Sequence, residues 1–67
     1  MPLIEIHMLE GRTDEQKKKL MEAVTEAVHT SIQAPLPTIR VWIHEFSPRE
    51  YMIAGKFKAE DQSNPVK

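Results

Sequence analysis

The sequence predicts an α/β fold: a small β-α-β unit with parallel strands and a C-terminal β-hairpin, completed by oligomerisation. Three observations predict it. Residues Leu3 to Leu9 alternate in period two; Leu20, Met21, Val24, Ala27, Val28 and Ile32 recur at spacings of three and four; and a second alternation runs from Ile39 to Phe46. Strand, long helix and strand in that order read as a parallel pair joined by a right-handed crossover.

In the first strand Ile4, Ile6 and Met8 share a face with Pro2, while Leu3, Glu5, His7 and Leu9 share the other. Proline is tolerated at a strand's first residue, where a missing ladder hydrogen bond costs little. Glu10-Gly11-Arg12 then turns the chain into "TDEQ", in which Thr13 caps a helix and Gln16 returns the hydrogen bond. The helix carries the apolar stripe toward a core. On its wet side Asp14 with Lys18 and Glu15 with Lys19 read as acid-before-base pairs one turn apart, and His29 reads as solvated.

"APLPT" ends the helix, because proline lacks the donor and restricts the residue before it. In the second strand Ile39, Val41, Ile43 and Glu45 fall on one face and Arg40, Trp42, His44 and Phe46 on the other. A single helix covers one side of such a sheet. The other side, with Trp42 and Phe46 on it, needs cover from another chain. A hairpin is expected from Tyr51 to Ile53, through Ala54-Gly55, and back along Lys56-Phe57. One domain over residues 1–58 and a polar, non-periodic tail over 59–67 complete the chain.

Size argues for the same assembly. With 67 residues, a chain buries only about 60% of the surface its unfolded form exposes. It has no cysteine, which removes disulfides and thiolate metal sites from the usual supplements and leaves self-association. Nine basic and ten acidic residues give a net charge of -1, so bulk charge recruits neither nucleic acid nor an anionic membrane. The start "MPLIEI" lacks a basic n-region and a long apolar h-region, which places the chain in the cytoplasm.

Three residues draw attention as chemistry. Arg12 at a strand-to-helix turn is ordinarily a solvated charge. Arg40 shares a strand face with Trp42 and Phe46, so it either snorkels along the aromatics or meets an anion at a covered surface. Pro2 has an unremarkable reading as a strand starter and a sharper one that depends on processing. Once Met1 is cleaved, which a proline neighbour generally permits, Pro2 is a free secondary amine. Apolar surroundings and nearby arginines would lower its pKa from the amine range toward neutrality, where it serves as a general base. His7, His29 and His44 are too scattered in sequence to read as a zinc box, which leaves open that distant residues converge in space; His7 and His44 read as interface histidines. Glu10 is a candidate to order Arg12 by a salt bridge.

"PLIEIHMLEGRTDEQKKKL", followed by "APLPTIRV" and "YMIAG", resembles the 4-oxalocrotonate tautomerase family of the tautomerase superfamily, from Pro2 to about Lys58. The resemblance implies a homohexamer, a trimer of dimers with sites built from adjacent chains. It implies Pro2 as general base, without cofactor or metal, acting on a dicarboxylate or enol acid such as a 2-hydroxydienoate, as in aromatic-ring breakdown. By the same resemblance Arg12 binds the substrate's remote carboxylate, and Arg40 reaches a neighbouring chain's site to hold carboxylate and enol oxygens. Leu9 and Tyr51 match wall positions and Thr38 stands where a serine often sits. A haloacrylate dehalogenase or hydratase on the same fold, and a non-catalytic oligomeric binding protein, are the competing readings.

Overall fold

The computed structural model describes residues 1–57; the expected tail, 59–67, and the domain boundary at 58 lie outside them. Strand β1 spans Leu3–Leu9, helix α1 Asp14–Ile32 and strand β2 Arg40–Phe46, followed by the short strands β3, Met52–Ile53, and β4, Lys56–Phe57. β1 and β2 are parallel, in register from Leu3 opposite Arg40 to Leu9 opposite Phe46. The ladder extends past both ends, Arg40 N donating to Pro2 O and Glu10 N to Phe46 O, each at 3.0 Å.

That register sorts the side chains by period two. Ile4, Ile6, Met8, Val41 and Ile43 are half-buried on the helix side, whereas Leu3, Glu5, His7, Arg40, Trp42 and His44 are exposed on the other. Parallel sheets are ordinarily covered on both faces. Here, among the described residues, one face carries no element of its own chain beyond its end, where the Tyr51 ring lies 5.2 Å from that of Phe46. Among the described residues only Ala34 is buried, and Leu3, Trp42, Met52, Ile53 and Phe57 are left exposed. Among the described residues both long strands are also edge strands, with unpaired backbone groups along their outer sides.

Helix α1 begins as its sequence dictates. Thr13 is extended, its Oγ1 accepts from Gln16 N at 3.1 Å, and Gln16 Oε1 accepts from Thr13 N at 3.0 Å. Replacing Thr13 by alanine orphans the Gln16 N–H and is expected to cost about 1 kcal/mol in chemical denaturation. Gly11, at φ 127°, supplies the reversal just before the cap.

Several expectations along α1 are corrected. Asp14 and Glu15 do not pair with Lys18 and Lys19: Lys17 meets Asp14 at 3.7 Å and Glu45 of β2 at 3.2 Å, and Lys18 meets Glu22 at 3.0 Å. Lys17 lies on the sheet side and reaches across, and Glu22 is one turn ahead of Lys18. His29 is half-buried rather than solvated, its Nδ1 2.7 Å from Ala34 O, where the ring nitrogen donates. Ala27 and Ile32 belong to the apolar stripe by spacing but are exposed. For Ile32 the cause is length, since nineteen helical residues rise about 28 Å and a seven-residue strand only about 20 Å. The helix overhangs its sheet.

The connection to β2 contains a 3-10 turn, Leu36–Thr38, that the prolines alone did not reveal, and a second, Pro48–Glu50, precedes the hairpin, capped by Ser47 Oγ accepting from Arg49 N at 3.0 Å. β3 pairs antiparallel with β4 and begins at Met52 rather than Tyr51. Ala54 and Gly55 both take positive φ, 56° and 82°, the requirement of a type I′ turn.

Candidate active site

The six residues singled out in the sequence fall into two groups at opposite ends of the β1–β2 pair. Pro2, Thr38 and Arg40 stand at the amino-terminal end. Pro2 is half-buried, and its carbonyl is tied to the Arg40 backbone. The Arg40 side chain is exposed on the open face, where Nη1 donates to Pro37 O at 2.6 Å. A guanidinium has five N–H donors in a planar fork, and this is the one protein hydrogen bond its side chain makes among the described residues. The Thr38 hydroxyl donates to Pro35 O at 2.7 Å, which leaves its oxygen able to accept.

Leu9, Arg12 and Tyr51 stand at the carboxyl-terminal end. Leu9 is half-buried opposite Phe46, and the Phe46 and Tyr51 rings lie with centroids 5.2 Å apart, tilted by 36°. Arg12 is half-buried and, with Met8, Gln16, Lys17 and Leu20, lines a hollow of about 280 Å³ against the first turns of α1. No ion pair joins Glu10 to Arg12 among the described residues, so that expectation is corrected. Glu10 instead extends the ladder through its backbone.

The two ends are separated by the length of the strand, roughly 20 Å for seven residues. One chain therefore does not bring Pro2 and Arg12 onto one small acid. Each end holds a cationic guanidinium, so each can grip a carboxylate, but only the amino-terminal end holds Pro2.

Neither end offers a metal-ligand set among the described residues. Among the described residues the one group that does is Glu5, His7 and His44, on the open face midway between them. Sequence spacing missed it because His7 and His44 become neighbours only through the parallel register. No helix of the described residues is long and apolar enough to cross a membrane.

The sequence model of the tautomerase enzyme family matches residues 2–61. A 2-hydroxymuconate tautomerase from Comamonas testosteroni is 47% identical over 55 residues, 82% of this chain and 87% of that protein. A crystal structure of a homologue of 4-oxalocrotonate tautomerase superposes with a TM-score of 0.84 at 46% identity, covering 88% of this chain and 97% of that one. A heterohexameric 4-oxalocrotonate tautomerase from Chloroflexus aurantiacus gives a TM-score of 0.87 at 37% identity, covering 92% and 100%.

Proposed function

This chain belongs to the tautomerase family of isomerases, and from that premise we propose that it assembles with copies of itself and, without cofactor, uses Pro2 to move a proton on a 2-hydroxydienoate or unsaturated keto acid. The observation that carries the proposal is the division of Pro2 and Arg12 between opposite ends of one strand pair. Assembly of identical chains answers it, because the amino-terminal end of one chain then meets the carboxyl-terminal end of another, and the exposed apolar face and open strand edges are buried in the process.

The chemistry follows from the groups so assembled. With Met1 removed, the Pro2 amine takes a proton from the enol oxygen, the C–O bond becomes a carbonyl, and the double bonds shift along the chain. The protonated amine then gives a proton to the carbon at the far end of the diene, which leaves Pro2 neutral again. Charge on the enolate rises between the two transfers. Arg12 and Arg40, permanently charged and shaped for bidentate carboxylate binding, hold the acid groups and stabilise that charge. Leu9 and Tyr51 keep water from the amine, and Thr38 orients the substrate with its hydroxyl. The 2-hydroxymuconate tautomerases among the relatives support a dicarboxylate as substrate.

The test is the decay of dienol absorbance of a 2-hydroxymuconate-type dicarboxylate with protein whose intact mass lacks Met1. Ketonisation well above the buffer rate is expected. No acceleration, or halide release from a haloacrylate in its place, would overturn the proposal.

A further inference from the structure

The open face of the sheet carries a second cluster whose geometry is independent of the tautomerase reading. Glu5 and His7 are two residues apart on β1 and so project to the same side, and the register sets His44 of β2 directly opposite His7. Glu5 Oε2 lies 3.3 Å from His44 Nδ1 and 3.7 Å from His7 Nε2. The two imidazole rings are edge to face, 5.6 Å apart. One ligand atom from each residue lies within 4.8 Å of the other two.

We propose that Glu5, His7 and His44 form a binding site for a divalent late transition metal of the zinc class. Zinc binds imidazole nitrogen and carboxylate oxygen at 2.0–2.2 Å in a tetrahedron, which sets ligand-to-ligand edges of roughly 3.3–3.6 Å. The Glu5–His44 separation, 3.3 Å, is already at that edge length and the Glu5–His7 separation, 3.7 Å, lies just above it; both exceed the usual span of a good N–H···O hydrogen bond. Within the single chain all three side chains are exposed, 37% for Glu5, 61% for His7 and 70% for His44, so no packing inside the chain opposes the ring rotation that closes the remaining edge; in the assembly proposed above this face is covered by another copy, which sets the ion at the interface. The donor set of two nitrogens and one oxygen suits zinc, copper and nickel over calcium or magnesium. One carboxylate and two neutral imidazoles leave the ion with net positive charge and a fourth position for water or an acid group.

Trp42, the chain's only tryptophan, is the cross-strand partner of Glu5 and reports on the site. The full-length chain, in its own assembly, is titrated with Zn²⁺ by calorimetry and with Cu²⁺ by quenching of Trp42 fluorescence. Because a site of this kind binds Cu²⁺ more tightly than Zn²⁺, the Cu²⁺ quenching is relieved only by Zn²⁺ in large excess. Saturable Zn²⁺ binding is expected. His7→Ala and His44→Ala each weaken it by roughly tenfold or more, and His29→Ala leaves it unchanged. In the unmodified chain, Zn²⁺ shifts the ring resonances of His7 and His44 and spares those of His29, a readout that does not depend on how any variant folds. Absence of saturable binding, or binding equally strong in His7→Ala and His44→Ala, overturns the proposal.

Discussion

A chain extended by one residue ahead of Pro2 is expected to lose tautomerase turnover by about 10²–10⁴-fold, the contribution of a positioned general base. The proline nitrogen is then part of a peptide bond, its lone pair delocalised into the carbonyl, and it accepts no proton. The fold should be indifferent to the change. Met1 is 77% exposed, and the Pro2 carbonyl that holds the end of the ladder is untouched. Circular dichroism and the oligomeric state should therefore match those of the parent, with the loss falling on kcat. Mass spectrometry supplies the control, since turnover should track the fraction of chains that begin at Pro2. An extended chain with parental kcat would remove Pro2 from the mechanism.

Mixing two inactive proteins is expected to restore activity if sites are shared between chains. Arg12→Ala should lose about 10²–10³-fold in kcat, as when a preorganised donor to a developing oxyanion is removed, and the extended chain is inactive for the reason above. When the two are unfolded together and refolded, a site that draws Pro2 from one chain and Arg12 from another is intact in about a quarter of random pairings. Activity should therefore rise from near zero to about a quarter of the parental value, and fall away when either protein dominates the mixture. A site contained within one chain would gain nothing, because every chain carries one lesion. The roughly 20 Å strand between Pro2 and Arg12 is the physical basis for the first outcome.

Much of this was open to reading along the chain. β1 spans the residues its alternation marks, the capping box at Thr13 and Gln16 is formed by both of its hydrogen bonds, and Ala54-Gly55 turns the hairpin. The separation of Pro2 from Arg12 was also implicit, since a seven-residue strand lies between them. Charge pairing was not legible. Asp14 and Lys18 have the helical spacing for a pair, yet a nearby lysine on the sheet side took Asp14 and Glu45 instead. Exposed pairs differ by tenths of a kcal/mol, so small geometric advantages decide among them.

By itself, then, the sequence determined what depends on near neighbours: the strand-helix-strand order, the cap, the turn with two positive φ values, and a core too small for one chain. These follow from side-chain period, local hydrogen bonding and steric limits on φ, which act within a few residues. Only the tertiary structure decided which distant residues meet. It set Arg40 beside Pro2 and Tyr51 at the Leu9 end, left Ile32 beyond the sheet, and brought His7 against His44. Those outcomes depend on parallel register and on the relative lengths of helix and strand, and a register shift of one residue would have sent the shifted strand's side chains to the opposite face.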